Sequence, residues 1–170
     1  HAQSATQATQ APIVLHAARL LDVAGGRVVA PGEVLIEGER IRASGSAVPH
    51  SALARVIDLG NVTLMPGLID AHVHVMASSA NLGAVAALPP ELAVTRSLPI
   101  LRGMLHRGFT TVRDLGGADY SWIEAFAEGG YEGPRLFICG KALTQTGGHA
   151  DMRKRLDERT TFASRTAGAM

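Results

Sequence analysis

Leu64-Met65-Pro66-Gly67-Leu68-Ile69-Asp70-Ala71-His72-Val73-His74-Val75 is the run on which the fold turns. Pro66-Gly67 breaks the chain, and an extended segment rich in apolar and β-branched residues follows. Side chains on a strand alternate faces, so His72 and His74 project to the same side, about 6–7 Å apart along the backbone. Two neutral imidazoles so placed can converge on one cation, and they suit zinc and other first-row divalent metals. The pattern alone also fits two polar residues on a solvent-facing strand.

Upstream, residues 12–65 read as short strands with turn punctuation. Ile13-Val14-Leu15 leads to Arg19-Leu20-Leu21-Asp22, a Gly25-Gly26 turn and Arg27-Val28-Val29. Pro31-Gly32 precedes Val34 to Ile41, where Gly38 between apolar segments predicts a hairpin. Val56 to Leu59 and Val62 to Leu64 complete a small all-β unit. A sheet this small has open edges and a face to cover. Residues 1–11 begin with HAQSATQATQ, which has no bulky apolar side chain and reads as a flexible tail. Small residues and Gln before the first strand match the remnant of a cleaved signal peptide, so a periplasmic or secreted location is expected.

Downstream, strands alternate with helices. Glu91 to Arg107 has apolar residues at helical spacing, with Pro99 expected at a kink or an early turn and Gly108 as the stop. Phe109 to Leu115 reads as the next strand. Asp119 should cap a helix through Ala127 that glycines 129 and 130 end. Leu136 to Leu143 reads as a third strand. This β-α-β-α-β order predicts parallel strands with crossover helices over residues 66–170.

Composition narrows the class. The chain has 170 residues, a net charge of +1 and 46% hydrophobic residues, enough for a sizeable core. No basic run with interleaved aromatics points to nucleic acid. No stretch approaches the roughly 18 apolar residues of a membrane span, so a soluble protein is expected. The single cysteine, Cys139, excludes an internal disulfide and paired-Cys metal sites, and its apolar neighbours predict a buried, inert thiol.

The run from Leu64 to His74 resembles the signature of the amidohydrolase superfamily. Gly108-Phe109-Thr110-Thr111-Val112-Arg113-Asp114-Leu115-Gly116-Gly117 looks like the second barrel strand of the branch containing imidazolonepropionases and Xaa-Pro-type dipeptidases. Gly140 to Asp151, with its Gly147-Gly148-His149-Ala150-Asp151 element, resembles a loop of dipeptidase and carboxypeptidase-like members, including ochratoxin-hydrolysing relatives. The resemblance implies an α/β fold: a partial (β/α)8 TIM barrel, its first three βα units, preceded by a small N-terminal β-sandwich. It makes His72 and His74 metal ligands for one or two divalent ions, zinc foremost. His149 becomes the candidate catalytic and substrate-binding residue, contacting the scissile carbonyl or a substrate carboxylate.

By the same resemblance, the activity is hydrolysis of a peptide or N-acyl amino acid amide by metal-activated water. The substrate is a small-molecule amide or peptide, and the full-length enzyme is a homo-oligomer. The alternatives are a cyclic amidohydrolase or deaminase of the imidazolonepropionase type, or a non-catalytic truncated chain. Arg113 and Asp114 are expected to form a buried ion pair. Lys141 is read as ordinary, because the family's carboxylated lysine belongs to the fourth strand, outside this chain. His16, His50 and His106 are read as surface residues. A complete barrel takes about 250 residues, so the remaining ligands and the general base are expected beyond residue 170, and the 170-residue chain alone is expected to be inactive.

Overall fold

The computed structural model describes residues 11–140 together with 144, 145 and 148, and these fall into two compact units divided between Pro66 and Gly67. The expected tail over the first ten residues, the far end of the third strand and His149 lie outside the described residues.

The N-terminal unit is all β, built from two sheets. One has the order β5-β4-β1-β6, using β1 (Ile13–Ala17), β4 (Gly32–Glu37), β5 (Arg40–Gly45) and β6 (Arg55–Asp58). The other has the order β3-β2-β7, using β2 (Arg19–Asp22), β3 (Arg27–Val29) and β7 (Thr63–Leu64). The hairpins β2–β3 and β4–β5 pair antiparallel, as does β1 with β4, and Gly38 at φ +58° makes the β4–β5 turn. The long-range pairs β1–β6 and β2–β7 are parallel. Val14, Leu35 and Val48 form a buried cluster against Ala43 and Ala54. Gly32 is buried where β4 starts, against the backbone of Arg19 and Leu20.

The C-terminal unit is α/β. β8 (Leu68–Val73), β9 (Phe109–Asp114) and β10 (Arg135–Ile138) form a parallel sheet of order β10-β9-β8. The chain returns between them through α1 (Leu82–Ala86), α2 (Pro90–His106) and α3 (Tyr120–Ala127). The parallel arrangement expected from the β-α-β-α-β order is present.

Helix α2 starts with proline in its first turn and Glu91 near the positive end of its dipole. Its buried residues Ala93, Ser97 and Leu101 recur every fourth position, which places them on one face. Pro99 lies inside this helix rather than at a first turn. Asp119 caps α3 by accepting the Ser121 N–H at 3.1 Å, and Gly129 at φ +73° follows the helix end. The core joins Val73, Val75 and Met76 to Ala93, Leu101, Val112, Trp122 and Leu136. One sheet face is thus covered by helices, and the carboxyl ends of all three strands lie along one edge. Among the described residues, no helix is long and apolar enough to cross a membrane.

Candidate functional site

Burial alternates over the carboxyl end of the first strand of this sheet and the residues just past it, as the sequence predicts for His72 to Val75. Val73 and Val75 are buried while His72 and His74 are exposed, and the two rings meet edge to face with centroids 5.5 Å apart. The alternation persists past the paired part of β8, which ends at Val73. The register with β9 slips between Asp70 and Val73, so three steps on β8 match two on β9 around His72. Asp70 accepts the His72 N–H at 3.0 Å on its Oδ1 and fixes this irregular turn of backbone.

Among the described residues, the His74 ring is held by a single hydrogen bond. Its Nδ1 lies 3.0 Å from the carbonyl oxygen of Gly116. A carbonyl only accepts, so Nδ1 carries the proton, and in the neutral ring Nε2 then keeps its lone pair. Metal-binding histidines are commonly oriented this way, with the second nitrogen donating to a carbonyl or carboxylate. The donor chemistry at His72 and His74 therefore fits a divalent cation. Among the described residues, no group of three or more His, Cys, Asp or Glu side chains is placed to hold a metal ion.

Arg113 and Asp114 do not form the expected ion pair. Adjacent strand residues face opposite ways, and the two side chains diverge accordingly. Arg113 is exposed and donates from Nε to the Ala71 carbonyl at 2.9 Å, tying β9 to β8 beside His72. Asp114 is fully buried. Its Oδ2 accepts the Val75 N–H at 2.7 Å, and its Oδ1 accepts the N–H groups of Gly116 at 2.8 Å and Ala118 at 3.2 Å. Sequence reasoning missed this role, although Asp114 shares parity with the core residue Val112, which already placed it on the covered face.

Cys139 also departs from expectation. It is exposed, because Leu136 takes the buried face and odd-numbered neighbours such as Phe137 take the open one. His50 and His106 are exposed, as expected, and His106 pairs with Glu132. His16 is half-buried, with Nδ1 3.0 Å from Glu33 Oε1. Lys141, His149 and Asp151 lie outside the described residues.

With this geometry in view, residues 63–169 match the Amidohydrolase family, and the chain belongs to that family. Among solved structures it resembles a prolidase in complex with N-methylphosphonate-L-proline. The two are 47% identical with a TM-score of 0.83, over 93% of this chain and 39% of the prolidase. The ochratoxinase of Aspergillus niger is 32% identical over 92 residues, covering 52% of this chain and 19% of that enzyme. Adenine deaminase of Edwardsiella ictaluri is 29% identical over 138 residues, covering 80% of this chain and 22% of the deaminase. The chain therefore spans about a fifth of the length of these two curated relatives.

Proposed function

We propose that this chain carries the first part of a metal-dependent hydrolase that cleaves an amide whose leaving group is an amino acid with a free carboxylate. Dipeptides and N-acyl amino acids of the ochratoxin kind are the substrate class. The observation that carries the reading is the His72–His74 pair, with His74 Nδ1 bonded to the Gly116 carbonyl, in a chain 47% identical to a prolidase. We take β8, β9 and β10 as the first three strands of a (β/α)8 barrel and the N-terminal sheets as part of a β-sandwich. The exposed edge strand β8, with Ile69 73% exposed, fits a sheet that continues beyond it.

His72 and His74 would hold the ion, zinc by preference, with the other ligands coming from beyond the described residues. Bound there, a divalent ion supplies Lewis acidity and lowers the pKa of water to near 7. The protein's own part is orientation. Gly116 sets the His74 tautomer, Asp70 and Arg113 fix the backbone around His72, and the strand ends present both imidazoles at the carboxyl edge of the sheet. His149 is assigned to the substrate's carbonyl or carboxylate, and His149→Ala should lower turnover roughly 10²-fold. We place the enzyme in the periplasm or outside the cell, as a homo-oligomer.

A second reading, a deaminase or cyclic amidohydrolase, is favoured by the adenine deaminase likeness over 80% of the chain. The test is to assay the full-length, zinc-loaded enzyme against Xaa-Pro dipeptides, N-acyl aromatic amino acids, cyclic imides and adenine. Release of free amino acid supports the first reading. Turnover confined to cyclic imides or adenine gives the protein to the second.

A further inference from the structure

Asp114 lies outside the histidine pair, yet its hydrogen bonds converge on the backbone that frames His74. Oδ2 takes the N–H of Val75, the residue directly after His74. Oδ1 takes the N–H of Gly116, the residue whose carbonyl receives the His74 Nδ1 proton. One buried carboxylate thereby fixes both the segment that carries the ring and the group that orients it. Leu115 N–H to Val73 O at 3.0 Å closes the same junction from the other side. Gly117, at φ +124°, lets the loop turn back so that the Ala118 N–H also reaches Oδ1.

We propose that Asp114 is the positioning residue of this site. It sets the His74 tautomer and ring direction through Gly116 without touching substrate or metal. Charge-assisted bonds to backbone N–H groups are strong in a dry interior, and three of them leave this carboxylate no unsatisfied oxygen. Asparagine cannot replace it. An amide has one acceptor oxygen, so either flip sets an NH2 group against the N–H of Val75 or against those of Gly116 and Ala118.

The proposal rests on the metal-site reading, and the experiment separates the two. In the metal-free full-length protein, imidazole ¹⁵N NMR reads the His74 tautomer directly. Wild type should show the Nδ1–H form and Asp114→Asn a mixture or the Nε2–H form. Chelator competition should then find zinc bound 10- to 100-fold more weakly by Asp114→Asn, the scale of losing an outer partner of a ligand. Leu101→Ala, a core change on α2, should lower the melting temperature yet leave the tautomer and the zinc affinity as in wild type. Should Asp114→Asn fail to fold, Asp114→Glu, which keeps the charge one methylene further out, is read by the same two measurements. An unchanged tautomer in the folded variant overturns the positioning role. A wild type with the Nδ1–H form that binds no zinc overturns the metal reading and leaves the positioning role standing.

Discussion

Nδ1 of His74 donates to the carbonyl oxygen of Gly116 at 3.0 Å, joining residues 42 positions apart at the ends of neighbouring parallel strands. The bond crosses from one strand-end loop to the next, so the imidazole is aimed by the fold and not by its own strand alone. The carbonyl belongs to the Gly116-Gly117 pair. Both residues are buried, and Gly117 takes a positive φ that a side chain would oppose.

The core beneath this junction should be sensitive to truncation. Leu101 is fully buried and packs with Val112, Trp122 and Leu136 under the sheet. Leu101→Ala should cost about 2–5 kcal/mol, the lost transfer energy plus the cavity left behind. Denaturant unfolding of the full-length protein measures it. A loss under about 1 kcal/mol would mean that α2 does not pack as described.

Gly32 tests the N-terminal unit independently. A β-carbon there would lie 2.5–2.6 Å from backbone atoms of Arg19 and Leu20, which cannot rotate aside. Gly32→Ala should therefore destabilise by about 1–3 kcal/mol through overpacking. Gly26, at φ +61° with nothing within 4 Å of its β-carbon position, differs in kind. Its alanine variant should show only the backbone cost, so Gly32→Ala melting at or above the temperature of Gly26→Ala would contradict the packing.

Glu33 supplies a pH dependence. The Val48 N–H, donated to Oε2 at 2.8 Å, and then the His16 side chain hold its carboxyl below the usual value of 4.5. A carboxyl depressed in the folded state contributes stability that is fully present above its unfolded pKa. That contribution is lost as pH falls through the folded value. The gap in melting temperature between wild type and Glu33→Gln should thus narrow as pH is lowered through the acid range below the ordinary carboxyl value of 4.5. A gap that stays constant over that range would remove Glu33 from the acid response.

Much of the arrangement was legible in local pattern. His72-Val73-His74-Val75 gave the alternation, Gly38 the hairpin and Asp119 the helix cap, because each rests on a few adjacent residues. What was missed is long-range or depends on parity. The parallel pairing of Ile13–Ala17 with Arg55–Asp58 joins segments about forty residues apart, which no local pattern encodes. Helix α1, five residues capped by Asn81, is too short to show a period. Cys139 was misjudged from its apolar neighbours, and Arg113-Asp114 from the family resemblance, where strand parity decides. Apolar neighbours in sequence do not bury a residue that points to the other face.

The histidine pair carries the sharpest expectation. In the proposed metal site each neutral imidazole would supply one ligand, and catalytic zinc sites typically use three protein ligands plus water. His72→Ala with His74→Ala should therefore strip zinc and activity from the full-length enzyme. His74→Ala alone should weaken zinc binding more than Arg113→Ala, because Arg113 acts on the Ala71 carbonyl whereas the His74 ring itself is proposed to ligate the ion. Residues 1–170 alone, with two imidazoles and no third ligand among the described residues, should bind zinc weakly and turn over no substrate. Elemental analysis and chelator titration of the purified variants are the measurements. Stoichiometric zinc in the double variant would remove both histidines from the metal site, and native-like turnover by the 170-residue chain would place the remaining ligands inside it.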